Sequence, residues 1–117
     1  MPTDHPLLII PFSVGLIFIV VGFIMYKFPP KEINGLYGYR TSASMKNQER
    51  WDFAQVYSSK EMMKMGGLQC LVGLIAFVYQ PSEKTGTLIG LGIMILVTIL
   101  LFIKVEKKIK SKFSKKD

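Results

Sequence analysis

Three stretches of the chain, 5–26, 65–82 and 85–103, contain no Asp, Glu, Lys or Arg, and Leu, Ile, Val, Phe, Met and Gly dominate them. A helix at the edge of a soluble core keeps charged residues on its outward face. These stretches have no charged face, so the pattern predicts hydrocarbon as their surroundings. The first predicts a membrane helix over 7–26, which at ~1.5 Å per residue crosses a ~30 Å hydrocarbon layer. Pro11 is expected in its first turn, where a missing N–H costs least. A cleavable signal is the competing reading. Residues 1–6 carry no Lys or Arg and no small-x-small site follows, so the segment is expected to stay in the protein. A second span over 65–80 is short unless Met62 and Met63 also enter the membrane and Lys64 snorkels to its surface; Pro81 then ends it. A third covers 85–103, and the tight connection at 80–84 makes spans two and three an antiparallel hairpin.

The intervening segment, 27–64, is far longer than a connection requires, and loops of that length are usually functional or disordered. It holds the single Trp and three of the five Tyr, which argues for structure. Phe28, Pro29 and Pro30 stop the first helix, and Asn34 and Gly35 form a strong turn dipeptide. Gly38 lies between Tyr37 and Tyr39 and allows positive φ or close backbone approach. From Ser44 the pattern becomes helical: Ser44 or Asn47 can cap, Glu49 and Asp52 fall in early turns, and Trp51, Ala54 and Ser58 continue the spacing. No Pro occurs from 42 to 80, so one helix is expected over most of 44–79, bent if anywhere at Gly66 and Gly67.

At 117 residues the chain forms one domain, 1–117, and its charge distribution orients it. Lys27, Lys31, Arg40, Lys46, Arg50, Lys60 and Lys64 lie in the first loop. Seven more lysines lie in the tail, 104–117, against Lys84 alone on the other side. Fourteen against one places the N-terminus outside and the loop and tail in the cytoplasm. The fold class is therefore an all-α integral membrane protein with three transmembrane helices, N-out and C-in, and a structured cytoplasmic loop-helix between spans one and two. Tyr26 and Tyr79 fall at opposite interfaces. The net charge of +7 reports topology and contact with anionic lipid before nucleic acid, for which no direct contact is expected.

One Cys and one His exclude an intrachain disulfide and a self-supplied His/Cys zinc site. No catalytic set, metal set or phosphate-binding Gly-rich loop is visible, so neither an enzyme nor a cofactor is expected. The spans lack the carboxylate that a proton-coupled transporter or exporter of this size needs. Gln69, the most polar side chain well inside a span, is expected to hydrogen-bond between helices. Gly15, Gly22, Gly66, Gly73, Ala76 and the Gly86/Gly90 pair favour close helix approach, either within the three-helix unit or across a homo-oligomer. In the tail, Phe102, Val105, Ile109 and Phe113 form one stripe among lysines, which predicts a segment lying along anionic headgroups or docking a regulator.

The motif is Asn34, Gly35, Leu36, Tyr37, Gly38, Tyr39, Arg40 and Thr41, followed by Ser44, Met45, Lys46 and Asn47, then Trp51 and Ala54, leading into two membrane helices. It resembles the signature of the SdpI/YfhL family of bacterial membrane proteins over about 31–103. Gln55 stands where Asn is commoner. The resemblance implies a multi-pass protein of the bacterial cytoplasmic membrane, in a group whose prototype gives immunity to a secreted toxic peptide and holds an ArsR-type repressor at the membrane. The expected binding residues are Asn34, Gly35, Tyr37, Gly38, Tyr39, Arg40, Thr41, Asn47 and Trp51. Arg40 is suited to a phosphate, a carboxylate or a helix C-terminus, and Glu49 or Asp52 would be its partner in a purely structural plug. Two further readings are a lipid-handling or transport protein that grips an anionic headgroup, and a small subunit of a larger membrane complex.

Overall fold

The computed structural model describes residues 4–113. They form an elongated bundle of 52 × 26 × 20 Å built from α1 (Pro6–Lys27), α2 (Gln48–Gly73) and α3 (Glu83–Phe113), with a 3-10 turn (Leu74–Phe77) extending α2. Asn47 is the residue that caps α2, its side chain accepting from the Arg50 N–H at 2.8 Å. The chain is then helical without a break from Gln48 to the end of the 3-10 turn. Ser44 takes no part in that cap; it is buried in the loop, where its hydroxyl donates to the Tyr39 and Thr41 carbonyls.

α1 starts at Pro6, one position that needs no N–H, and His5 caps it. Pro11 consequently lies inside the helix and not in its first turn. His5 Nδ1 accepts from the Leu7 N–H at 3.1 Å, so Nε2 carries the ring proton and donates to Pro81 O at 2.7 Å. One imidazole thus starts α1 and ties it to the α2–α3 connection.

α1 and α2 run antiparallel and nearly touch at Gly15 and Gly66. A Cβ on either glycine would stand 2.5 Å from the other's carbonyl oxygen, so only glycine permits the approach. α3 runs parallel to α1, with Gly86 against His5 and Gly90 against Ile10. The Gly86/Gly90 face is therefore used inside the bundle.

α1 and α3 are long and apolar enough to cross a membrane, and only 22% of each apolar window is buried within the protein. A soluble core helix would bury most of such a window. α2 is polar in its first half and apolar only in its second, and does not pass the same test. Gln69 is fully buried on it, and neither of its amide atoms has a hydrogen-bond partner. The interhelical hydrogen bond expected there is not made among the described residues.

α3 has 31 residues, about 46 Å at 1.5 Å each, and outruns a hydrocarbon layer by several turns. Its far end does not present its apolar stripe to headgroups. Val105, Ile109 and Phe113 are buried with Met25, Tyr39, Ala54 and Leu101 in the main core cluster, and Lys112 sits 5.0 Å over the Phe53 ring. An amphipathic stripe has the same sequence pattern whether lipid or protein covers it, and here α2 and the loop cover it. Phe102 is half-exposed, and its ring lies tilted at 34° to that of Tyr39 with the centroids 5.5 Å apart. Residues 114–117, with Lys115 and Lys116, lie outside the described residues.

Candidate functional site

The 28–47 loop folds back over the end of the bundle where α1 stops and α2 begins. Asn34 shapes its first turn: Oδ1 accepts the Leu36 and Tyr37 N–H groups, both at 2.8 Å, and Nδ2 donates to Glu32 O at 2.9 Å. The Arg40 guanidinium closes the same turn from outside, Nη1 donating to Gly35 O at 2.6 Å. Arg40 stays exposed, and its partner is a carbonyl instead of Glu49 or Asp52. Asp52 instead accepts from Gln48 at 2.7 Å. Tyr37 donates its hydroxyl to Phe28 O at 2.7 Å and remains partly exposed.

The second half of the motif is locked inward. Gln55, almost wholly buried on α2, reads Tyr39 as a neighbouring strand would: Oε1 accepts its N–H at 2.7 Å and Nε2 donates to its C=O at 2.9 Å. Gly38 lies beside this amide with φ +108°, and a Cβ there would collide with Gln55 Oε1 and with Pro30 Cγ. Trp51, fully buried, donates its indole N–H to Pro30 O at 2.9 Å and fixes the entry to the loop. Asn47 and Trp51 thus build the loop's support and stand away from its open face.

The loop is also tied to α3. Tyr39 Oη and Thr41 Oγ1 donate to one oxygen of Glu106, Oε2, at 2.7 and 2.8 Å. Burial, and then the carboxylate beside it, push the Tyr39 phenol far above its ordinary value, so it stays a neutral donor. A turn further back, buried Glu61 of α2 meets Lys104 of α3 at 2.7 Å and Lys64 at 3.3 Å. Burial alone would raise this carboxyl. The hydrogen bonds and charges of Lys104 and Lys64 outweigh it and hold the group below its ordinary value.

Beneath the motif is a lateral cleft of about 440 Å³. Phe18, Val21 and Met25 of α1 form one wall, and Thr98, Leu101 and Phe102 of α3 the other. Ser58 and Met62 of α2 make the floor, and 36–40 the roof. Arg40 is the one charged residue in its lining. The expected site residues therefore divide: Tyr37, Gly38, Tyr39 and Arg40 line this space, whereas Asn34, Gly35, Thr41, Asn47 and Trp51 hold its roof in place. Gln55, Glu106 and Glu61 were not expected in the site; the groups they hold on other segments, Tyr39, Thr41 and Lys104, lie 16 to 67 residues away, beyond any local pattern. Among the described residues no three His, Cys, Asp or Glu gather to hold a metal ion.

The model of the SdpI/YfhL protein family matches residues 31–105, which takes in the whole motif, α2, the hairpin and the apolar part of α3. A relative from Bacillus subtilis (strain 168), uncharacterized protein YfhL, is 34% identical over 100 residues covering 82% of each chain. The chain belongs to the SdpI/YfhL family. In this SdpI/YfhL protein the matched stretch takes in the loop and helices that Gln55 and Glu61 bind together and ends one residue before Glu106. No solved structure matches it.

Proposed function

We propose that the chain is an SdpI-like immunity protein of the bacterial cytoplasmic membrane, which protects its cell against a secreted antimicrobial peptide toxin and makes or breaks no bond in doing so. The observation that carries this reading is the family match over 31–105, which opens with the motif that roofs the cleft. Tyr37 and Arg40, the motif's exposed polar side chains at that cleft, are its recognition surface. Retention of an ArsR-type repressor at the membrane is the signalling arm that the family resemblance adds.

The proposal includes three spans with the N-terminus outside. α2 packs along α1 from Gly22 against Ser59 to Gly73 against Leu8, so a membrane crossed by α1 also contains the apolar half of α2. Among the described residues, twelve of thirteen Lys and Arg belong to the segments at the motif end, which supports a cytoplasmic position for it.

The test is expression in a strain sensitive to a secreted peptide toxin. Survival above the empty-vector control supports immunity, and unchanged killing with the protein present in the membrane refutes it. Topology is read by cysteine labelling in a Cys70→Ser background. A cysteine at Ser82 should react with an impermeant reagent outside intact cells, and cysteines at Ser42 and Ser114 should not. Outside labelling at Ser42 would overturn the orientation.

A further inference from the structure

We infer that the cleft is a binding site for one anionic phospholipid, with an acyl chain between α1 and α3 and the phosphate on Arg40. This requires only that the chain lies in a membrane; it shares Arg40 and the cleft with the proposed recognition surface but does not depend on toxin binding.

The chemistry of the walls selects an acyl chain. The two hydroxyls on the helix walls, Ser58 and Thr98, are turned onto their own helices, donating to Gln55 O at 3.3 Å and Met94 O at 2.8 Å, and those of Tyr37 and Tyr39 in the roof are spent on Phe28 O and Glu106. The depth of the cleft therefore presents carbon from Phe18, Met25, Met62 and Leu101. An extended peptide threaded there would bring N–H and C=O groups that these walls leave unsatisfied, at a cost of several kcal/mol per group in hydrocarbon. A hydrocarbon tail brings none. The volume, about 440 Å³, lies within the range of small-molecule clefts.

The position selects a membrane lipid. The cleft lies between the two most apolar helices, whose exposed faces include Val20 and Ile24 on α1 and Ile95 and Ile99 on α3. Its roof is at the end of α1, where Lys27 and Lys60 sit beside the Phe23 and Tyr26 rings at 6.0 and 5.7 Å, the arrangement of a headgroup boundary. Charge selects the head. Arg40 is exposed in the lining, and its hydrogen bond to Gly35 uses one of five N–H donors, so a phosphate oxygen pair can be gripped by others.

The experiment is native mass spectrometry of the full-length protein, delipidated in mild detergent and titrated with dioleoyl phosphatidylglycerol, dioleoyl phosphatidylcholine or glycerol phosphate. One phosphatidylglycerol per chain should be retained, about fivefold or more tighter than phosphatidylcholine. Glycerol phosphate should not bind measurably, which separates a lipid from a free phosphate. Arg40→Gln should bring the two lipids to equal affinity. Val21→Trp, which fills the cleft from an exposed position, should weaken both, and Thr98→Phe serves as a second filling variant if its helix content by circular dichroism is better kept. Equal retention of both lipids by the unaltered protein, a preference that survives Arg40→Gln, or filling variants that bind normally would overturn the site. So would displacement of lipid by a hydrophobic peptide at equal concentration.

Discussion

The Tyr39 hydroxyl reaches across 67 positions of sequence to donate a 2.7 Å hydrogen bond to Glu106 Oε2, joining the motif loop to the last third of α3. Thr41 donates to the same oxygen, so one carboxylate holds the loop at two positions.

Tyr39→Phe removes a charge-assisted bond without changing shape, and should lower unfolding stability in detergent by about 1–3 kcal/mol. Glu106→Gln should cost a similar amount. The double variant should lose less than the sum, because both changes break one contact. Additive losses in thermal melts of the two single variants and the double would show that the pair does not couple.

Gly38→Ala should be more damaging than Gly35→Ala. Position 38 needs φ near +108° and has no room for a Cβ beside Gln55 and Pro30, whereas a Cβ at 35 meets open space. Left-handed strain alone costs about 1–3 kcal/mol, and displacement of the Gln55 amide would free both backbone groups of Tyr39. Comparison of membrane abundance and melting temperature for the two variants checks this.

The charge-free stretches of the sequence predict α1 and α3, and the absence of Pro predicts the helix through 48–77. Asn34, Gly35 and Gly38 were legible as turn residues because their chemistry is local. Gln55 was legible only as a departure from the Asn commoner at its place in the motif, since what makes it structural is Tyr39, 16 residues away. Glu106 carries no local signal either, because its partners Tyr39 and Thr41 lie 67 and 65 residues away. The stripe of Val105, Ile109 and Phe113 was visible, but not whether lipid or α2 would cover it.

Glu61 gives the fold an acid limit. Its folded carboxyl titrates below the ordinary value, so the stability it contributes is fully present above the unfolded pKa of about 4.3 and is lost as pH falls through the lower, folded value. Glu61→Gln should lower stability at neutral pH and flatten its fall on acidification below about pH 4. An acid profile unchanged in Glu61→Gln would show that the pair with Lys104 and Lys64 contributes nothing to folding.

The proposed role of the motif's exposed part, recognition and not merely assembly, rests on Arg40. Arg40 makes one hydrogen bond, to Gly35 O, and stays exposed, so Arg40→Ala should cost little stability and leave membrane abundance near the unaltered level. Protection against a secreted peptide toxin, normalised to membrane protein, should nonetheless be lost in Arg40→Ala and only partly kept in Arg40→Lys, whose ammonium lacks the planar fork. Lys46→Ala is the comparison, with normalised protection expected to be retained. Unaltered normalised protection in Arg40→Ala, or abundance and protection falling in parallel, would contradict the claim and leave Arg40 a structural residue.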